Sequence, residues 1–129
     1  MDIMIVDDDQ DDIDVFCEAV AEINKKLVCV TAHNGIEAFK CLESYPRLPR
    51  CIFLDVNMPL MNGRQTLEAL RQNPRYANIY VVMYSTTHDV KEIGSYKALG
   101  VDFAIKPNSY EQVVHTITHY LDKTGIQWQ

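Results

Sequence analysis

The chain opens with Ile3-Met4-Ile5-Val6-Asp7-Asp8-Asp9, four apolar residues followed by three acids. An unbroken apolar run this short suits a strand buried on both faces. The pattern recurs. Cys51-Ile52-Phe53-Leu54 ends on Asp55, and the run over residues 79–84 ends on Ser85, Thr86 and Thr87. Phe103-Ala104-Ile105 ends on Lys106, with Pro107 next. In open parallel sheets, ligands bind outside the carboxyl ends of the strands. Four such ends would gather carboxylates, a hydroxyl and one ammonium group in a single crevice. That set suits metal-dependent phosphoryl chemistry: acids for a hard cation, a nucleophile, and donors for phosphate oxygens.

Between the apolar runs lie helical periods. Residues 12–24 carry Ile13, Phe16, Cys17, Val20 and Ile23 at helical spacing. Residues 27–30 read as a second strand, rich in β-branched residues. Asn34-Gly35 reads as a turn, and Ile36, Ala38, Phe39 and Leu42 mark a second helix that must stop before Pro46. Residues 51–55 are a third strand, and 65–72 a third helix with Leu67 and Leu70 inward. Residues 79–84, 89–99 and 101–105 read as strand, helix and strand, with Gly100 stopping the helix. Residues 109–123 carry the stripe Tyr110, Val113, Val114, Ile117 and Leu121, between a Ser109 cap and Gly125.

Strand and helix thus alternate five times. This predicts an α/β fold, a (βα)5 doubly wound parallel sheet. All five units enter one sheet, so residues 1–129 are expected to form one domain with no output domain. The tail Ile126-Gln127-Trp128-Gln129 is too short to be one.

Bulk properties narrow the function. The 129 residues suit one core, and a net charge of −6 disfavours a nucleic-acid partner. No run approaches the roughly 18 apolar residues of a membrane span, and no basic segment marks a secretory signal. Cys17, Cys29, Cys41 and Cys51 contain no CxxC pair and sit inside apolar segments. They are expected to be reduced, buried thiols in a cytoplasmic protein.

Taken together, Ile5-Val6-Asp7-Asp8, the stretch Leu54-Asp55-Val56-Asn57-Met58-Pro59-Leu60-Met61-Asn62-Gly63, Met83-Tyr84-Ser85 and Lys106-Pro107 resemble the receiver domain of two-component response regulators. The resemblance spans essentially the whole chain and implies a flavodoxin-like strand order 2-1-3-4-5. It implies that Asp55 accepts a phosphoryl group, from a sensor histidine kinase or a histidine phosphotransfer protein. It further implies a Mg²⁺ ion held by Asp8, Asp55 and the Asn57 backbone carbonyl, with Asp7 acting through a metal-bound water. Ser85, Thr86 and Lys106 would bind the phosphoryl oxygens, and Ser85 and Phe103 would form a switch that changes a protein-interaction surface. Such a domain catalyses its own phosphorylation and dephosphorylation without turning over a separate substrate. The downstream protein is not named by the sequence. Three departures stand out: Gly100 lies one residue closer to Lys106 than is common, Asn108 replaces a frequent phenylalanine, and Thr86 is bulkier than usual, narrowing access.

Simpler readings compete at several positions. Asp9 is better read as a helix cap than as a site residue. Pro59 and Gly63 fit plain turn chemistry. Thr87 is a candidate cap for the following helix, leaving Ser85 free for phosphate. Pro107 stiffens the Lys106 backbone, and a cis bond is one way to do so. His33, His88, His115 and His119 are expected to be solvent-exposed, with His88 near the site entrance; the spacing of His115 and His119 could bind a metal, but a third ligand is lacking. The rival function is an enzyme with an aspartyl-phosphate intermediate and a second acid two residues after the nucleophile. That position is Asn57 here, which cannot act as an acid. A nucleotide-binding reading lacks a glycine-rich loop after the first strand.

Overall fold

The computed structural model describes residues 1–125; the tail with Trp128 lies outside the described residues. The strands are β1 (Ile3–Val6), β2 (Cys29–Ala32), β3 (Cys51–Leu54), β4 (Tyr80–Ser85) and β5 (Asp102–Ile105). The helices are α1 (Gln10–Ile23), α2 (Gly35–Ser44), α3 (Gly63–Gln72), α4 (Val90–Ala98) and α5 (Tyr110–Thr124). The sheet is wholly parallel, in the order β2-β1-β3-β4-β5. Both the doubly wound class and the strand order agree with expectation.

Alternation along each strand sends side chains to two cores. Met4, Val6, Ile52, Leu54, Val81 and Met83 face one side, where Ala38, Leu42, Leu67, Leu70 and Tyr96 cover them. Ile3, Ile5, Phe53, Val82, Tyr84 and Ala104 face the other, covered by Ile13, Phe16, Val20, Val113, Ile117 and Leu121. Both faces are buried, which is why the central runs carry no polar alternation. Phe53 anchors the second core, with edge contacts to Phe16, Tyr84 and Tyr120 at centroid distances of 4.9, 5.7 and 6.1 Å.

The departures from expectation have local causes. β2 begins two residues later than the apolar run suggests. Asp2 accepts from Val28 N–H through its side chain and donates to the Val28 carbonyl, so the ladder starts at Cys29 paired with Ile3. As an edge strand, β2 tolerates the exposed Thr31. Asn34-Gly35 is no free turn: Asn34 Oδ1 caps α2 by accepting from Glu37 N–H at 2.9 Å. Asn62 and Gln65 form a capping box that starts α3 at Gly63. Asp89, not Thr87, caps α4; Thr87 Oγ1 instead accepts from Asp89 N–H and donates to Glu92. Asp9 caps α1, accepting from Asp11 and Asp12 N–H at 3.0 and 3.3 Å. The described chain contains no cis peptide, so the Lys106–Pro107 bond is trans. All four cysteines are free, but only Cys51 is buried; the other three are half-buried.

Candidate functional site

Strand register assembles the crevice. Val6 pairs with Leu54, Leu54 with Met83, and Ser85 with Ile105, so the next residues on β1, β3 and β5 emerge together. The hydrogen-bond ladder runs one step past the strands. Asp55 N–H donates to the Val6 carbonyl at 2.9 Å, and Lys106 N–H to the Ser85 carbonyl at 2.7 Å. Asp7 N–H donates to the Ala32 carbonyl at 3.0 Å, so Asp7, Asp55 and Lys106 are all fixed through their backbones.

The side chains converge. Asp7, Asp8 and Asp55 each offer a carboxylate oxygen, and the three atoms lie within 4.8 Å of one another. Asp7 is fully buried, Asp55 nearly so, and Asp8 exposed. Lys106 Nζ sits 2.7 Å from Asp7 Oδ2, 2.9 Å from Asp12 Oδ2 and 3.7 Å from Asp55 Oδ1. Asp7 Oδ1 accepts from Asp9 N–H, and Asp55 Oδ1 from Val56 N–H. Asp7 Oδ2 has the ammonium beside it as an ion pair but receives no aligned hydrogen bond.

One ammonium group cannot neutralise this many acids. Burial is the main cause that pushes the Asp55 carboxyl up to about 7, and the charge of Asp7 adds to it against the opposing pull of Lys106. Asp7 is also raised, by burial first, with Lys106 and the Asp9 N–H opposing. Burial lowers the Lys106 ammonium, but its close contacts with the Asp7 and Asp12 carboxylates outweigh it and hold the group well above its ordinary value. A divalent cation would relieve this imbalance. The donors are all hard oxygens, one of them a buried oxygen lacking an aligned bond, so the residues fit such an ion.

Ser85 is buried at the end of β4, where its Oγ accepts from Thr87 N–H at 3.3 Å. Thr86 is exposed in the loop that follows. Asn57 is exposed in the loop after Asp55. Gly63 does more than shape a turn. A Cβ there would lie 2.2 Å from the Asp55 carbonyl oxygen, so only glycine lets α3 begin against the backbone of Asp55. Phe103 is already turned inward, its ring 5.8 Å from that of Tyr96 on α4. A switch at Phe103 that works by turning an exposed ring inward therefore has no exposed ring to start from. His88 lines a groove with Ile105, Lys106, Pro107 and His115. No histidine joins a three-ligand group among the described residues.

Asp12 was not anticipated. The signal was its place three residues after the Asp9 cap, in the first turn of α1, a helix that begins directly beneath the crevice.

Comparison with known proteins agrees with this architecture. The family model for the response regulator receiver domain matches residues 3–118, and the chain belongs to that family, a phosphorylation-dependent signalling domain of two-component systems. Response regulator Rcp1 of Synechocystis is 30% identical over 97 residues, covering 70% of this chain and 65% of Rcp1. The phosphorylated cyanobacterial phytochrome response regulator RcpA superposes with a TM-score of 0.80 at 27% identity, covering 94% of this chain and 91% of the other. The Mn²⁺-bound form of Rcp1 gives a TM-score of 0.75 at 25% identity, covering 98% and 97%. The chain spans about half the length of several curated relatives that it matches, 49, 44 and 51% of three of them. No helix among the described residues is long and apolar enough to cross a membrane.

Proposed function

We propose that this domain accepts a phosphoryl group on Asp55, from a histidine kinase or a histidine phosphotransfer protein, in a Mg²⁺-dependent reaction. The observation that carries the reading is the convergence of Asp7, Asp8 and Asp55 within 4.8 Å, with Lys106 Nζ 3.7 Å from Asp55. An Asp55 carboxylate oxygen attacks phosphorus, the O–P bond forms, and the N–P bond to the donor imidazole breaks. Asp8, Asp55 and the Asn57 carbonyl would hold the cation, with Asp7 acting through a bound water. Bound there, it would supply positive charge against the transferring group and favour the ionised Asp55 carboxylate. Lys106 and Ser85 hold phosphoryl oxygens, and Thr86 borders them. Attack of water on the same phosphorus later restores the carboxylate.

The signal leaves through β4, β5 and α4. Met83 and Ser85 pair with Phe103 and Ile105, and Phe103 packs on Tyr96. New charge and acceptor oxygens on Asp55 draw on Ser85 and Lys106. The surface formed by α4, β5 and α5 shifts between two states, and a downstream protein reads the difference. The rival phosphatase reading is disfavoured by Asn57, which offers no second acid.

The test is incubation with acetyl phosphate and Mg²⁺, followed by intact mass. Wild type should gain one phosphoryl group, and excess EDTA should prevent it. Undiminished labelling in EDTA would remove the metal from the mechanism, and labelling of Asp55→Asn equal to wild type would remove Asp55.

A further inference from the structure

Lys106 is shared among three carboxylates, and one of them lies outside the acidic trio. Asp12 Oδ2 accepts a hydrogen bond from Lys106 Nζ at 2.9 Å, whereas Asp55 Oδ1 is 3.7 Å away, beyond hydrogen-bond range. An ammonium group has three donors, and the two short contacts are to Asp7 and Asp12. Asp12 is held for this contact by its own helix. The Asp9 carboxylate accepts from Asp12 N–H at 3.3 Å, fixing the first turn of α1 beside the end of β5. Unlike the fully buried Asp7, the Asp12 side chain is 40% exposed, so it can release the lysine to water.

We propose that Asp12 is a positioning residue that competes with the phosphoryl group for Lys106. The inference rests on Asp55 as phosphoacceptor. With Asp55 unmodified, Asp12 draws the ammonium toward α1. To reach a phosphoryl oxygen on Asp55, Lys106 gives up the Asp12 bond while Asp7 stays beside it. Asp12 thereby opposes formation of the phosphorylated state, and it links the first turn of α1 to the occupancy of Asp55. An amide at position 12 pairs more weakly with the ammonium and shifts the balance toward the modified state.

The experiment is a beryllofluoride titration in saturating Mg²⁺, followed by backbone NMR shifts around Asp55 and Lys106. Asp12→Asn should tighten apparent affinity about threefold, the scale of a half-exposed ion pair. Asp12→Glu, which keeps the charge, should return most of the way to wild type. Asp11→Asn removes the same charge from the neighbouring, exposed position and should tighten affinity far less. Equal effects of Asp11→Asn and Asp12→Asn would mean that bulk charge acts, not the hydrogen bond, and would overturn the proposal. So would an Asp12→Asn affinity equal to wild type. Failure of wild type itself to bind beryllofluoride would overturn the functional reading beneath it.

Discussion

β5 has a lysine–acid cluster at each end, and the two are built to opposite balances. At its start, Asp102 accepts from the Tyr80 hydroxyl and from Lys123 Nζ at 3.4 Å. One acid meets one cation and one hydroxyl, and the Tyr80 hydrogen bond is the main cause that holds the Asp102 carboxyl below its ordinary value. At its finish, one lysine faces Asp7, Asp12 and Asp55, and the Asp55 carboxyl is driven up instead. The same residue types make a satisfied surface pair at one end and an unsatisfied crevice at the other. The difference is burial and count. Lys123 is 48% exposed and matched one to one, whereas Lys106 is 10% exposed and outnumbered. On the proposed function, a site that is to take a cation and a phosphoryl group has to be left electrostatically incomplete.

The largest contrast should appear in the backbone. Gly63→Ala drives a Cβ to 2.2 Å from the Asp55 carbonyl and should destabilise by about 3 kcal/mol. At the other end, Gly100 has φ of +80° but open space around it, so Gly100→Ala should lose only about 1 kcal/mol, the left-handed penalty. Urea unfolding of both variants measures the pair. Equal losses would show that the approach of α3 to Asp55 is not tight.

Next in size is the response to a divalent cation. At a hundredfold excess over its Kd, Mg²⁺ should stabilise wild type by about 2.7 kcal/mol. Asp8→Ala should lose most of that shift, and Asp102→Asn should keep it. Thermal melts with and without Mg²⁺ read this directly, and a shift that survives Asp8→Ala would place the cation elsewhere.

Smaller again is the effect of protons without the cation. The Asp55 carboxyl titrates near 7 when folded against 3.8 ordinarily, so between these values the folded state holds a proton that the unfolded state releases. Stability therefore falls as pH rises from about 4 to about 7, and the penalty is complete above that window. Asp55→Asn should stabilise the metal-free protein above pH 7, with the gain vanishing near pH 4. Asp102 has the opposite sign. Its lowered value contributes stability above the ordinary carboxylate range, lost as acid protonates it. Because that group is largely solvated, Asp102→Asn should destabilise by under about 1 kcal/mol at neutral pH. Denaturant melts across pH would test both signs, and a destabilised Asp55→Asn would contradict the repulsion.

Much of this was legible from the chain, for a physical reason. A central parallel strand is buried on both faces, so β1, β3 and β4 had to be apolar without interruption, and their ends had to be where polarity begins. Asp7, Asp55 and Ser85 are those ends, and Lys106 follows the edge strand β5. β2 was misplaced because an edge strand has one neighbour and answers to hydrogen bonds from Asp2 rather than to apolarity. The helix starts were read late or loosely where caps decide them, at Asn34, Asn62 and Asp89. Asp12 stayed hidden because its partner lies 94 residues away and depends on how α1 rests beside β5. Gly63 looked like turn chemistry because close backbone approach leaves no mark in a single sequence.

On the proposed function, the unbalanced end of the sheet takes a phosphoryl group on Asp55. The most direct measurement is chemical trapping. The protein is treated with acetyl phosphate and Mg²⁺, reduced with borohydride, which converts an aspartyl phosphate to homoserine, digested, and sequenced by mass spectrometry. Homoserine is expected at position 55 alone, dependent on Mg²⁺. Homoserine at Asp7, Asp8 or another acid, or none anywhere in a protein shown to be folded, would contradict it.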